Sequence, residues 1–197
     1  MKTKENSILR LAFAALLAAL CFVGFEYLRI DIPIGGGETT AIHFGNAFCV
    51  LAALLLGGVY GGLAGAVGMT IADIISVVYI SSAPKTFFLK FCIGFITGTV
   101  AHKLFHLHEE TSPAKAFRSS LIAAIAGMAF NVVADPLVGY FYKTYLLGIQ
   151  QDLAAALAKI TGVVTFVNAC TSVLIAVLLY QALRPALRKM GIFQKMM

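Results

Sequence analysis

The sequence predicts an all-α integral membrane protein with six transmembrane helices and both termini in the cytoplasm. Three observations predict it. Hydrophobic residues make up 60% of the 197, charged residues only 12%, and the mean hydropathy is +0.90, outside the range of water-soluble domains. Six apolar stretches can be drawn along the chain, and Lys and Arg concentrate at alternate ends of them. A spanning helix needs about 20 apolar residues to cross a hydrocarbon layer about 30 Å thick. Residues 1–197 therefore supply six spans, short loops and a single membrane domain.

The first span is placed at 8–30. Lys2, Lys4 and Arg10 ahead of it imitate the start of a signal peptide, but the apolar run is too long and lacks a clear small-residue cleavage site, so it is read as a retained helix. The Gly-rich connection from Asp31 to Ala41 reads as an irregular, mobile loop. The second span, 42–56, is short for a full crossing and turns at Gly57-Gly58 into the third, 58–80. The fourth, fifth and sixth lie at 84–105, 119–142 and 160–183. Residues 148–159 carry Leu153 and Leu157 one turn apart, which suits either an interfacial helix or an outward extension of the last span.

Lys2, Lys4, Arg10, Lys103, Lys115, Arg118, Arg184, Arg188, Lys189 and Lys195 are 10 of the 15 basic residues, and with six spans all fall on one side. Positive residues are retained in the cytoplasm, which fixes the orientation. The net charge of +6 follows from this topology rather than from a nucleic-acid-binding patch. Cys21, Cys49, Cys92 and Cys170 all sit in apolar stretches without metal or redox spacing and read as packing residues. No metal or cofactor motif is present.

Polar side chains inside spans are costly and mark a site by default. Glu26 lies near the outer end of the first span, and His43 and Asn46 at the outer start of the second. Asp73 lies about two turns from the outer end of the third and Lys90 at similar depth in the fourth. Asn131 and Asp135 share a face of the fifth, and Asn168 sits about two turns into the sixth. All fall in the outer half or near the midplane, whereas the inner halves carry almost only apolar and hydroxyl residues. A channel would be lined along its whole length, so the asymmetry favours a cavity open to the outside. Structural readings stand beside this one. Lys90 with Asp73 or Asp135 also suits a buried ion pair, the asparagines suit interhelical hydrogen bonds, and His43 suits an interfacial residue.

Gly57, Gly58, Gly61, Gly62, Gly65 and Gly68 form overlapping small-xxx-small spacings, read as helix packing. No Gly-x-x-x-x-Gly-Lys-Ser/Thr occurs, so any ATP hydrolysis belongs to another subunit. Ala14, Ala15, Ala18 and Ala19 make a flat stripe near the inner end of the first span, suited to docking a partner helix or to packing within the bundle. His102, His106 and His108, with Glu109 and Glu110, read as a solvated, weakly chelating inner loop outside the site.

The order Ile32-Pro-Ile, Ile42-His-Phe-Gly-Asn46, Leu54-Leu-Leu-Gly-Gly-Val-Tyr-Gly-Gly-Leu-Ala-Gly-Ala-Val-Gly68, Ile71-Ala-Asp-Ile74 and Thr86-Phe-Phe-Leu-Lys90 resembles the S components of energy-coupling factor transporters, in particular the riboflavin-type group. The likeness is densest from Ile32 to Gly98, about a third of the chain. It implies a six-helix substrate-capture subunit in a bacterial or archaeal cell membrane, a lid formed partly by the first outer loop, and association with a transmembrane coupling protein and two ATPases. It also implies a docking role for the alanine stripe. Nickel and cobalt members of the class use an N-terminus with an early His, which Met1-Lys-Thr-Lys-Glu5 lacks, and this argues against metal import.

The leading functional expectation is that Asp73, Lys90, Asn131, Asp135 and Asn168 hydrogen-bond a small heterocycle while His43 and Asn46 close from the second helix. Gly35, Gly36, Gly37, Thr39 and Thr40 would form the gate, and Tyr79, Phe87 and Phe88 would offer stacking surface or else face lipid. Riboflavin, a pyrimidine precursor and a vitamin B6 compound all suit such a set. The alternative is a stand-alone secondary transporter coupled to protons through Asp73 and Asp135. An intramembrane enzyme is disfavoured, because neither a His-Glu-x-x-His nor a Ser and His pair at matching depth occurs.

Overall fold

The computed structural model describes residues 2–193, with side chains from residue 6 onward; Lys195 and the side chains of Lys2 and Lys4 lie outside the described residues. Six helices are present: α1 (Lys2–Glu26), α2 (Gly45–Leu56), α3 (Gly58–Ile75), α4 (Ala83–Thr99), α5 (Pro113–Phe141) and α6 (Gln151–Lys189). A 3-10 turn at Ile80–Ser82 leads into α4, and π turns at Val100–Leu104 and Tyr142–Leu146 finish α4 and α5. Five of these stretches are long and apolar enough to cross a bilayer, the exception being α2 with 12 residues, about 18 Å.

Two predicted features are corrected between α1 and α2. The first span ends at Glu26, not at residue 30, and the expected irregular loop is an antiparallel hairpin of β1 (Arg29–Gly35) and β2 (Glu38–His43). Alternation favours it, since Ile30, Ile32 and Ile34 on one strand are separated by Asp31 and Pro33. Gly35, Gly36 and Gly37 all have positive φ and close the turn, a conformation that costs glycine least.

Helix α2 is apolar on every side and is buried in 11 of its 12 residues, packed among α1, α3, α4 and α6. Gly57, with φ 83°, separates it from α3 and donates its N–H to the Ala53 carbonyl at 3.0 Å, which makes the predicted tight hairpin. Helix α3 packs on α1, α2 and α4 through its glycines, and α5 joins α4 to α6.

Other boundaries also move. Helix α3 stops at Ile75, which puts Asp73 in its last turn instead of two turns inside and leaves Tyr79 outside the helix. Helix α5 begins at Pro113, where a proline suits the first turn, six residues ahead of the predicted start. Helix α6 starts at Gln151, so residues 151–159 are an extension of the last span and Asn168 lies almost five turns into it. Cys170 is exposed and Cys92 half-buried, so only Cys21 and Cys49 pack in the core.

The inner histidine segment is not a uniformly solvated loop. His102 is buried with its Nε2 3.1 Å from the Leu54 carbonyl, and Leu107 is buried beside it. Arg184 and Arg188 both donate to the Glu110 carbonyl, which ties the α4–α5 connection to the end of α6. The Ser112 N–H, 2.9 Å from the Glu110 carboxylate, holds that group below its ordinary pKa.

Candidate functional site

Polar side chains from six elements converge on one cavity of about 100 Å³ that opens at the hairpin end of the bundle. Strand β2 contributes Glu38, Thr39, Thr40 and His43, and α2 contributes Asn46 from its first turn. Asp73 comes from α3, Lys85, Thr86 and Lys90 from α4, Asn131 and Asp135 from α5, and Thr165 and Asn168 from α6. Pro136 also lines it; with no N–H to give, it breaks the backbone ladder of α5 beside the cavity.

One turn inward no ionisable side chain lines the helices. Met69, Ile93 and Met128, each a turn below Asp73, Lys90 and Asn131, are fully buried, and Ser172 lies a turn below Asn168. The ionisable and amide side chains of the spans thus cluster toward the hairpin end of the bundle, with Met69, Ile93 and Met128 a turn further along.

The lining groups fall into two sets. The first is already satisfied. Asp135 accepts from Lys85 at 2.9 Å on one oxygen and from the Thr165 hydroxyl at 2.8 Å on the other. Asn168 accepts the His43 main-chain N–H at 3.0 Å and donates to the Ala41 carbonyl at 2.8 Å, fastening β2 to α6. Tyr79 donates to Asp31 at 2.8 Å, while Arg29 bridges Asp31 and Glu26, so β1 is fastened to the α3–α4 connection and to α1. Lys143 pairs with Glu38 and ties the hairpin near its tip to the end of α5.

The second set is buried without a hydrogen-bond partner among the described residues: both side-chain polar atoms of Asn131, Asn46 Oδ1 and His43 Nδ1, and the Asp73 carboxylate, which has the Thr86 hydroxyl near it but no hydrogen bond of ordinary geometry. Lys90 makes no ion pair among the described residues. Buried polar groups are nearly always paired in folded proteins; six of the fourteen unpartnered buried side-chain atoms among the described residues lie around this one cavity, which fits a ligand site.

All eight residues expected in the site, His43, Asn46, Asp73, Tyr79, Lys90, Asn131, Asp135 and Asn168, line the cavity. Of the gate residues, Thr39 and Thr40 line it. Gly35, Gly36 and Gly37 stand at the hairpin tip, where a Cβ on Gly36 would come within 3.2 Å of Leu153 on the outer extension of α6. Phe87 and Phe88 are exposed on the outside of the bundle and supply no stacking surface; Phe25, edge-on to His43 with centroids 4.6 Å apart, takes that place. Sequence reasoning passed over Lys85, Lys143 and Glu38. Lys85 lies five residues from Lys90 near a predicted helix start, and Glu38 and Lys143 sit at span ends where charges are ordinary.

A sequence profile of the family described as "ECF-type riboflavin transporter, S component" matches residues 5–185 of the chain. No curated protein matches it. The match takes in every helix and the whole cavity, and the chain belongs to the S components of ECF-type riboflavin transporters, non-enzymatic substrate-binding subunits that pass several times through the prokaryotic plasma membrane.

Proposed function

We propose that this chain captures a small water-soluble vitamin or vitamin precursor, a riboflavin-like, pyrimidine or B6-like heterocycle, from outside the cell. It then delivers that molecule through a transmembrane coupling protein driven by two ATPase subunits. The observation that carries the proposal is the cavity at the hairpin end of the bundle, where orphaned polar groups gather. The lack of a phosphate-binding P-loop motif in the sequence is consistent with energy supplied by partner subunits.

The alanine stripe supports the partner reading because it splits. Ala14 is buried and Ala18 half-buried, with the Ala18 carbonyl against Gly68 of α3. Ala15 and Ala19 are exposed with Ala12 on the neighbouring face, a flat surface on which another helix can lie closely. Replacing Ala15 and Ala19 together with leucine should reduce uptake by cells carrying the whole transporter about tenfold or more, a loss of ~1.4 kcal/mol or more of docking free energy. Ligand binding by the isolated chain should not change. Uptake at the original rate would remove the docking role. Gradient-driven uptake by the purified chain alone in proteoliposomes would instead establish the proton-coupled alternative.

The hairpin serves as the gate, hinged where Asn168 and Tyr79 fasten its base and latched where Glu38 meets Lys143. That ion pair is partly exposed, with side chains 25% and 14% accessible. Such a pair contributes about 1 kcal/mol at most. Glu38→Gln or Lys143→Met should accelerate ligand dissociation roughly threefold to fivefold, read by stopped-flow dilution, and high salt should mimic the effect in the original chain. Dissociation that ignores both variants and salt would exclude the latch.

A further inference from the structure

At the end of the bundle opposite the cavity, positive charge gathers without its counter-charge. Arg184 and Arg188, one turn apart on α6, both donate to the Glu110 carbonyl. Two donors on one oxygen have their nitrogens within about 6 Å of each other. Arg184 is buried and Arg188 half-buried, and neither makes an ion pair among the described residues. Like charges held this close repel, more strongly where water is excluded, and a neutral carbonyl offsets little of that repulsion.

The neighbouring groups do not supply the missing anion. The Glu110 carboxylate accepts the Ser112 N–H at 2.9 Å and lies in the field of Lys115 as well as of Arg184. The Tyr180 hydroxyl, a turn before Arg184, is neutral and fully buried, with the guanidinium near it but no hydrogen bond of ordinary geometry. Lys115, exposed in the first turn of α5, makes no ion pair among the described residues either. Three cations therefore surround one carboxylate, and each guanidinium spends only one bond of its fork of N–H donors.

The surroundings of the cluster suit a lipid. Leu174, Leu178, Gln181 and Arg188 recur at helical spacing on one side of α6, where the leucines are 61% and 56% exposed and Gln181 donates to Ser120 of α5. An acyl chain lying along those leucines beside the α5–α6 seam brings its phosphate to the level of Arg188. That level is just past the span end expected at residue 183, on the side where the basic residues place the cytoplasm. We infer that Lys115, Arg184 and Arg188 hold the phosphate of an anionic phospholipid of the inner leaflet. The headgroup supplies the counter-charge that the two arginines lack and, through Glu110, fastens the α4–α5 connection to the end of α6. This site is separate from the cavity and does not depend on what the cavity holds.

The full chain in nanodiscs of phosphatidylcholine, with and without phosphatidylglycerol, tests it by native mass spectrometry of the retained lipid and by melting temperature. Phosphatidylglycerol should be retained at least about fivefold over phosphatidylcholine and should raise the melting temperature. Arg188→Gln and Lys115→Gln should each lower that preference at least about threefold. Lys103→Gln, which removes an exposed cation at the same end of the bundle but outside the cluster, should leave it unchanged. Lys115 is exposed, so its variant decides the matter even where Arg188→Gln fails to fold. Inorganic phosphate added to the chain in neutral detergent should stabilise it no more than chloride at equal ionic strength. Equal retention of the two lipids, a preference that survives in a folded Arg188→Gln or Lys115→Gln protein, or an equal loss in Lys103→Gln would overturn the inference. Stabilisation by inorganic phosphate as large as that by phosphatidylglycerol would overturn it too, leaving a site for a free ion.

Discussion

Asp135→Ala should cost about 1–3 kcal/mol of folding stability. The carboxylate is bound on both oxygens, by Lys85 at 2.9 Å and Thr165 at 2.8 Å, and both ion-pair side chains are only 14% accessible. Deleting it leaves the Lys85 ammonium facing a cavity without its counter-charge and the Thr165 hydroxyl without its acceptor. The penalty comes from that stranded charge rather than from the net strength of the pair, since a half-buried pair regains in attraction roughly what it loses in hydration. Lys85→Met combined with Asp135→Leu should therefore recover most of the loss. Thermal unfolding of the three proteins in the same detergent checks the order: original chain and double variant close together, single variant well below. Equal losses in the single and double variants would show that shape, not charge, is what Asp135 supplies.

That pairing also shows where the sequence stopped being readable. Helix count and the gathering of polar groups toward one end of the bundle follow from composition along one chain, and both appear in the structure. Which lysine meets which carboxylate depends on the rotation of α4 about its own axis, and a five-residue offset turns Lys85 and Lys90 in different directions by about 140°. The sequence pairs Lys90 with Asp73 or Asp135 because all three sit at membrane depth. The structure gives Asp135 to Lys85, which looked like an ordinary charge near a helix start.

The hairpin was hidden for a related reason. Its alternation is short, three isoleucines separated by an aspartate and a proline, and the glycines beside it read equally well as a disordered loop. What orders the hairpin is contact with distant residues, Tyr79 and Asn168, which no local pattern reveals. The alanine stripe divides likewise: four small residues look equivalent along the chain, and only the position of α3 separates Ala14 and Ala18 from Ala15 and Ala19.

Gly98→Val should prevent the chain from reaching a stable fold, and even Gly98→Ala should cost about 1–3 kcal/mol. A Cβ on Gly98 would run into the backbone of Gly57 and Gly58, and one on Gly94 into the backbone of Gly61 and Gly62. Glycine thus meets glycine at two successive levels of the α3–α4 seam, and because the obstructing atoms are main chain, no side-chain rotation relieves the clash. The helices would have to separate. That movement would shift Asp73 and Lys90, which ride on the two helices, so the seam sets the geometry of the site as well as the stability of the bundle. Gly162→Ala on α6 is the control: its nearest obstruction, Pro136, is 3.7 Å away, and the added methyl group should be neutral or stabilise the helix by up to about 1 kcal/mol. Monodisperse yield after detergent extraction and the melting temperature should fall for Gly98→Ala and hold or rise for Gly162→Ala. Equal tolerance of the two alanines would mean that α3 and α4 are not held at backbone contact.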